Sequence, residues 1–193
     1  MRNLRYLLFG LIISVTFSSC GYNKLVTYQE EVGAQWANVE NAYQRRADLI
    51  PNLVKTVKAN AEYEQKTLQA VIDARANATK MTLNVDQLDE ASIAKFNKVQ
   101  GELSSTLNRL LATFENYPNL KATKGFGSLM AQLEGSENRI AVERRKFNKS
   151  VQQYNQFRRQ FPQNLSAGMF GFNEKAYFEA EEGAEKAPKV DFE

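Results

Sequence analysis

The polar side chains with the clearest potential for chemistry surround the proline at position 51. The members of this group, the Pro51 cluster, are Arg45, Arg46, Asp48, Pro51 and Asn52. On a helix Asp48 and Asn52 share one face, because residues four positions apart are neighbours there. Pro51 has no N–H and leaves the carbonyl of residue 47 without its helical partner. The cluster predicts either a polar binding site at this carbonyl or side chains that complete the interrupted hydrogen bonding and form ion pairs within the fold.

The composition argues against most familiar active sites. The chain has 193 residues, no histidine and one cysteine. Its own residues therefore cannot form a Ser-His-Asp or Cys-His nucleophile, a histidine-ligated metal site or an intrachain disulfide. Glu62, Glu64 and Asp73 are candidates for acid–base chemistry, but nothing in their spacing makes them converge as paired catalytic carboxylates must. We predict that the protein is not an enzyme and holds no metal or cofactor.

The charge balance bears on the class of partner. The 25 basic and 22 acidic residues give a net charge of +3, which is too balanced to indicate nucleic-acid binding. Basic residues between Arg144 and Lys149, with Arg158 and Arg159 further on, form either an ordinary solvated face or a surface for anionic lipid headgroups. We therefore expect no nucleic-acid partner.

The single cysteine, Cys20, follows a segment typical of a secretory signal. Arg2 and Arg5 precede an apolar run from Tyr6 to Phe17. A run of about 12 residues suits a signal core and is shorter than the roughly 20 that a spanning helix needs. The sequence Ser-Ser-Cys-Gly over residues 18–21 resembles the lipobox of bacterial lipoproteins, in which the cysteine thiol receives a diacylglycerol and becomes the first residue of the mature protein.

The lipobox-like sequence predicts a signal peptide over residues 1–19, a lipid anchor at Cys20 and one domain over residues 20–193. Two or more acyl chains hold a soluble domain at a membrane stably, whereas a single chain holds it only marginally. The alternative is a signal-anchor that is never cleaved, with its basic residues inside as the positive-inside rule requires. Both interpretations place the domain on a membrane and outside the cytoplasm.

Apolar side chains recur every three or four residues along the next part of the chain, a spacing typical of amphipathic helices. The first stripe runs from Val32 to Ala78 and predicts one very long helix, or two collinear helices, over about residues 22–80. Pro51 either kinks this helix or, with Asp48 as N-cap, lies in the first turn of a new one. The stripe keeps its phase across the proline, which favours the kink.

Two further stripes predict long helices that each end just before a proline. One covers about residues 88–117, with Asp86 or Asp89 at its start, and the other covers about 124–161. The C-terminal stretch has no clean period but contains many aromatic residues, so we expect a short helix near 164–170 and then an ordered segment. The predicted fold is all-α: an up-and-down antiparallel bundle of three long helices, with the short C-terminal helix and tail packed on it.

Polar residues also occur within the stripe of the last long helix. Asn148, Tyr154 and Asn155 lie close to its apolar positions, and such residues more often pair inside a core than bind a ligand. Trp36 is expected in the core or in an interface. We therefore predict a buried polar pairing in this helix.

Several segments together carry a family resemblance. They include Arg-Arg-Ala-Asp-Leu-Ile-Pro-Asn-Leu-Val over residues 45–54, and the segments 22–26, 74–75, 117–122, 137–141, 145–148, 154–155, 161–162 and 188–192. From residue 22 to 192 the sequence resembles the LemA family of bacterial envelope proteins. The resemblance implies a helical bundle held at a membrane by its N-terminus, and it implies no established enzyme activity. The chain differs from typical members, which have an N-terminal transmembrane helix where this chain has a lipobox-like cysteine. It also lacks the histidine that members often have near residue 63.

Two functional hypotheses are compatible with these features. The first is a non-enzymatic, membrane-anchored envelope protein of LemA type that acts as a scaffold or protein-interaction module. Its partners would be the membrane, through the lipid anchor, and another envelope protein. The alternative is an extracytoplasmic module that binds a small ligand or cell-wall fragment in a pocket lined by Arg45, Asp48 and Asn52. An undetected hydrolase would need carboxylates that converge in a cleft.

Overall fold

The computed structural model of the chain describes the backbone of residues 2–58, 65–114 and 123–179, and the side chains of residues 21–58, 65–114, 123 and 125–179. Within these ranges all regular elements are helical and there is no strand. The helices are α1 (Arg2–Lys58), α2 (Gln65–Lys80), α3 (Glu90–Thr113), α4 (Lys124–Arg159) and α5 (Gln163–Phe170), with a short 3-10 turn at Val85–Gln87. The all-α prediction is confirmed.

The first predicted helix is in fact two helices that form an antiparallel pair. Arg75 on α2 donates from Nε to the carbonyl oxygen of Ala47 on α1 at 2.7 Å. Further along, Trp36 Nε1 on α1 donates to the carbonyl oxygen of Leu83 at 2.8 Å. Because later residues of the chain meet earlier positions of α1, α2 runs antiparallel to α1. The prediction of one helix or two collinear helices over about residues 22–80 is therefore wrong.

Helix length gives the physical reason for this reversal. A continuous helix over residues 22–80 would extend about 90 Å, at 1.5 Å per residue. The longest partner, α4, has 36 residues and extends only about 54 Å. Much of the apolar stripe would remain uncovered, whereas folding α2 back onto α1 buries both stripes in one core. The described residues thus form a bundle of four long helices in up-down-up-down order, where three were predicted.

Helix boundaries follow from local capping. The Asp89 carboxylate accepts a hydrogen bond from the backbone N–H of Ser92 at 2.8 Å and caps α3, which confirms one of the two predicted start positions. This hydrogen bond is the main cause that lowers the pKa of Asp89 below its usual value. At the other end of the chain, α5 stops at Gly171, whose φ of 75° is readily adopted only without a side chain. The predicted end of the second long helix near residue 117 lies outside the described residues.

The interior consists of two apolar clusters stacked along the bundle. One surrounds Trp36, Phe96 and Phe147, and the ring centroids of Phe96 and Phe147 lie 5.1 and 5.4 Å from that of Trp36. The other surrounds Leu53 and Leu103. Burial of such aromatic and aliphatic side chains is the main driving force for the fold, at roughly 1.5–3 kcal/mol for each large side chain. Among the described residues, no helix is long and apolar enough to span a membrane.

After α5 an extended segment, residues 172–179, returns along α4. Its Phe178 side chain is buried and stacks on Trp36 with ring centroids 5.8 Å apart. The backbone N–H of Ala176 donates to the carbonyl oxygen of Leu88 at 2.8 Å, at the start of α3. This segment, the C-terminal strap, thus lies between α3 and α4. The predicted short helix is confirmed, and so is the ordered segment as far as residue 179; residues 180–193 of the predicted tail lie outside the described residues.

Candidate functional site

Arg75 satisfies the carbonyl group that Pro51 leaves free. Pro51 lies inside α1, so the alternative in which it opens a new helix is wrong. The Ala47 carbonyl oxygen accepts from Arg75 Nε instead of from a residue-51 N–H. Asp48 does not cap a helix; its carboxylate accepts from Gln44 Nε2 at 2.8 Å and lies 3.9 Å from Arg75 Nη2. The interrupted hydrogen bonding is therefore completed across the α1–α2 pair.

Arg46 is the one member of the Pro51 cluster that enters the bundle interior. Its residue exposure is 1%, and its Nη1 donates to Ser104 Oγ and to Glu137 Oε1, both at 2.7 Å. Its Nη2 donates to Gln100 Oε1 at 2.9 Å and to the Gln100 backbone carbonyl oxygen at 3.3 Å. A buried guanidinium with these partners fixes α1, α3 and α4 in one register, because each lost contact would leave a buried donor unpaired.

The Arg46 network extends to α2 and separates the two apolar clusters. The amide of Gln100 donates from Nε2 to the carbonyl oxygen of Ala78 at 3.3 Å, so the network includes groups from all four long helices. The guanidinium also lies over the Tyr43 ring, 5.2 Å from its centroid. Glu137, by contrast, has a side chain that is 49% exposed, so the ion pair reaches the surface. The Nε of Arg46 has no hydrogen-bond partner among the described residues.

The other members of the cluster do not converge with Arg46. Arg45, Asp48 and Asn52 are exposed and Pro51 is half-buried. Arg45 lines a 270 Å³ hollow between α1 and α4 that includes neither Asp48 nor Asn52. The structure therefore does not bring the five residues into one pocket, and the pocket that the ligand-binding alternative requires is not formed by these side chains.

A larger groove adjoins the Arg46 network on the side of α3 and α4. Its volume is about 720 Å³, and its lining includes Arg46, Lys98, Gly101, Glu137, Ala141 and Glu179. Its walls therefore combine a buried guanidinium, exposed charges and small side chains. This α3–α4 groove begins where the described part of the C-terminal strap ends, at Glu179. Groups of histidine, cysteine, aspartate or glutamate that could hold a metal ion do not occur among the described residues.

Two asparagines of α4 hold the C-terminal strap by its backbone. Asn155 accepts from the Lys175 N–H at 3.0 Å and donates to the Lys175 carbonyl oxygen at 2.8 Å. Asn148 accepts from the Phe178 N–H at 2.8 Å and donates to the Phe178 carbonyl oxygen at 2.9 Å. The asparagines are seven positions apart and share a helix face, whereas the residues they hold are three apart on an extended chain. Each side-chain amide thus replaces the partner that a neighbouring strand would provide.

Two more contacts fix the near end of the strap. Tyr154 Oη donates to the carbonyl oxygen of Asn173 at 2.8 Å, and burial raises the pKa of Tyr154 to about 12. Arg158 Nε donates to the carbonyl oxygen of Phe172 at 2.7 Å. The predicted polar pairing of Asn148, Tyr154 and Asn155 is therefore made with the strap backbone.

The strap in turn buries a lysine against the start of α3. Lys175 is 3% exposed; its Nζ donates to the carbonyl oxygen of Val85 at 2.6 Å and lies 3.9 Å from the Asp86 carboxylate. Burial lowers the pKa of Lys175, and the nearby carboxylates of Asp86 and Asp89 oppose that shift. The lysine thus holds the middle of the strap against the 3-10 turn.

Sequence reasoning missed Gln100, Ser104 and Glu137 as partners of Arg46. A signal for one of them was present, since Gln100 falls in phase with the apolar positions Phe96 and Leu103. A polar residue at such a position predicts a buried hydrogen-bonding group. No comparable signal marked Ser104, and Glu137 was marked only by its place in segment 137–141, which carries part of the family resemblance. The side chain of Cys20 lies outside the described residues, although its backbone continues α1.

Comparison with known proteins yields a family and a group of relatives. The LemA family profile matches residues 35–192. The Magnetosome protein MamQ of Magnetospirillum gryphiswaldense (strain MSR-1) is 28% identical, over 88% of this chain and 68% of its own length. Magnetosome proteins MamQ 1 and MamQ 2 of Paramagnetospirillum magneticum (strain AMB-1) are each 28% identical, over 82% of this chain and 64% of their own length. The chain thus spans about two thirds of the length of the curated relatives it matches.

Proposed function

Because this chain belongs to the LemA family, we propose that it is a non-catalytic protein of the bacterial cell envelope. Its N-terminus holds it at a membrane, and its domain binds other proteins. In this proposal the domain lies outside the cytoplasm and uses the α3–α4 groove to hold an extended segment of a partner. The fold presents no arrangement of described side chains that resembles a nucleophile with its base.

The observation that carries this proposal is the way in which the bundle holds its own C-terminal strap. Asn148 and Asn155 hydrogen-bond to the backbone of the strap residues they bind. Contacts of this kind tolerate many sequences, which is the basis of several modes of peptide recognition. The α3–α4 groove continues beyond Glu179 along the same two helices. A second extended segment could therefore bind there end to end with the strap.

Membrane attachment rests on the sequence of the first twenty residues. A basic start, an apolar run and the Ser-Ser-Cys-Gly sequence support a cleaved signal with Cys20 as lipid anchor. The relatives are described as magnetosome proteins. Their names support a place for bacterial homologues of this domain in a defined cellular structure. The ligand-binding alternative gains no support from the separate positions of Arg45, Asp48 and Asn52.

The groove is tested by photo-crosslinking in cells. A photoreactive amino acid is placed at Ala141, which is exposed and lines the groove, or at Ala131, which is exposed on the same helix outside it. We expect a discrete product with another envelope protein from Ala141 only. Gly101→Phe, which fills the groove, should abolish that product, whereas the control Gly135→Phe should leave it. A Cβ atom added at either glycine would meet no heavy atom within 4 Å, so both positions have room for the first atom of a side chain.

Three results would contradict the groove as the binding site. Equal products from both positions would indicate non-specific contact. A product insensitive to Gly101→Phe would place the contact elsewhere. A crosslink from Ala141 to residues 180–193 of the same chain would mean that the protein's own C-terminus occupies the groove.

The anchor has a separate test. Cys20→Ala should abolish incorporation of labelled fatty acid and leave the protein unprocessed or release it from the membrane. A variant that keeps full membrane attachment, at the same apparent mass as the wild-type protein, would show that an uncleaved signal-anchor holds the chain.

A further inference from the structure

Large apolar side chains are exposed at the end of the bundle where the domain joins its N-terminal segment. They form a group, the apolar corner, whose members are Phe161, Leu165, Met169 and Phe170, each between 58% and 79% exposed. Leu165 and Met169 are one turn apart on α5 and share a face. The buried Ala167 holds the other side of α5 against the bundle. Single exposed apolar residues are ordinary, but four large ones within ten residues of the chain are the kind of group that marks an interaction surface.

The apolar corner lies at the level where α1 passes from the N-terminal segment into the bundle. The Tyr22 ring packs edge-on against Phe170, with ring centroids 4.9 Å apart, and against Phe172 at 5.6 Å. On α1, Tyr22 is two residues beyond Cys20, a rise of about 3 Å along the helix axis. Whether Cys20 carries a lipid anchor or the preceding residues form a signal-anchor, Tyr22 is then within a few ångströms of the membrane surface. The corner shares that level.

The charges at this end of the bundle suit an anionic lipid surface. Residues 21–29 and 156–173 contribute no aspartate or glutamate to this end. They contain Lys24, Arg158 and Arg159. The Asp86 carboxylate accepts from Gln29 Nε2 at 3.1 Å, about 10 Å further along α1 than Tyr22. Lys24 and Arg159 are exposed, whereas Arg158 is partly engaged, 3.5 Å from Glu174. Apolar side chains flanked by basic residues are typical of surfaces that lie in the membrane interface, where each basic residue also attracts anionic headgroups.

We propose that the apolar corner inserts into the interfacial layer of the membrane that carries the N-terminal anchor, so that this end of the bundle rests on anionic lipid. The proposal rests on the membrane attachment of the proposed function, but not on which of the two N-terminal interpretations provides it. The anchor alone would leave the bundle free to tilt about residue 20. Insertion of the corner adds a second point of contact and fixes the orientation of α1 relative to the membrane.

The test uses the full chain in vesicles of phosphatidylethanolamine and phosphatidylglycerol. An environment-sensitive NBD label is attached to Gly168→Cys on α5 or, as the matched control, to Gly135→Cys on α4. Both glycines are helical and exposed, with open space for a side chain. Gly135 is 24 residues before the end of α4 at Arg159, which corresponds to about 36 Å of helix. The wild-type chain is labelled in parallel to measure any reaction of Cys20.

We expect the label at residue 168 to shift its emission to the blue and to be quenched by lipids that carry a doxyl group near the headgroup. The label at residue 135 should show neither effect. Replacing Phe161, Leu165 and Met169 together by serine should reduce quenching at residue 168 without preventing flotation with the vesicles. Since these side chains are exposed, the variant should retain the helical circular dichroism of the parent.

Each alternative outcome is distinguishable. If the chain floats with the vesicles but gives the same unquenched emission at residues 168 and 135, insertion of the apolar corner is overturned. Membrane attachment through the N-terminal anchor then still holds. A chain that does not float overturns the membrane attachment, and the corner with it. A blue shift at residue 168 that lipid-borne doxyl does not quench, and that grows with protein density, overturns the proposal in favour of contact between two copies of the chain.

Discussion

Asn155→Ala should detach the C-terminal strap from α4. Asn155 is 1% exposed and makes two hydrogen bonds, at 3.0 and 2.8 Å, to the N–H and carbonyl of Lys175. Alanine supplies neither partner. Because Lys175 is itself 3% exposed, water cannot reach these groups unless the strap moves. The variant must therefore either keep two unpaired buried groups or open the strap.

The magnitude follows from those two groups. An unsatisfied buried donor or acceptor costs about 1–3 kcal/mol, so the pair should cost about 2–4 kcal/mol once partial relaxation is allowed. Asn148→Ala removes the same two kinds of bond from Phe178, but Asn148 is only partly buried. Water can then replace part of the loss, and we expect about 1–2 kcal/mol there. The difference between the two variants isolates the effect of burial.

Hydrogen–deuterium exchange of peptides that cover residues 172–179 measures the loss directly. Since 1.36 kcal/mol is a factor of ten, strap amides should exchange about 30- to 900-fold faster in Asn155→Ala, and about 5- to 30-fold faster in Asn148→Ala. Amides in the middle of α1 should keep their protection, because the strap is a local element. Unchanged exchange in residues 172–179 of Asn155→Ala would refute the reasoning, as would a larger effect from the less buried Asn148.

Three further predictions concern other contacts. Arg75→Met should lower the free energy of unfolding by about 1–3 kcal/mol, because it leaves the Ala47 carbonyl unpaired. In a Pro51→Ala background, where the N–H of residue 51 can donate to that carbonyl, the loss measured by urea denaturation should be smaller. Equal losses in the two backgrounds would contradict this reasoning. Tyr154, with its pKa raised to about 12, stays neutral in the folded protein after unfolded tyrosines ionise near pH 10. Its stabilising contribution is therefore full below about pH 10 and is lost as the pH rises toward 12, and ultraviolet titration of phenolate in wild type and Tyr154→Phe should show this late-titrating group. The lowered pKa of Asp89 means that its cap stabilises α3 above the usual aspartate pKa and is lost as the pH falls through the lowered value. Asp89→Ala should thus reduce the urea midpoint at neutral pH and make little difference in acid.

The helical elements were predictable because their signals are local. The apolar stripes, the cap at Asp89 and the aromatic residues near the C-terminus each depend on a few neighbouring residues, and the described residues along the stripes are helical as predicted. The reversal between α1 and α2 was not predictable from periodicity, because an apolar stripe is buried equally well by a continuing helix with long partners or by a helix that folds back. What decides between them is the length of α4, a property of a distant part of the chain.

The polar contacts were less predictable, since they join residues far apart in sequence. The freed carbonyl at residue 47 could be deduced from Pro51 alone, but its partner Arg75 depends on the reversal. Likewise the pairing of Arg46 with Glu137 needs the register of α1 against α4. Gln100 is the exception, because its position within an apolar stripe already indicated burial.

The two proposed surfaces together limit where a partner can bind. If the apolar corner rests on the membrane, Tyr22 is near the lipid surface and Arg46, beside the α3–α4 groove, is 24 residues further along α1. At 1.5 Å per residue this places the groove about 36 Å along the helix axis from the membrane end. A partner segment of about ten extended residues could reach that height from the same membrane. A membrane-bound partner would thus need an extended tail of at least about ten residues to reach the groove. A bundle that tilts freely about its anchor would bring the groove closer to the membrane and would set no such minimum length. Shortening the tail of a crosslinked partner should therefore abolish the Ala141 product in the wild-type protein, but should leave a residual product when the three apolar residues of the corner are replaced by serine.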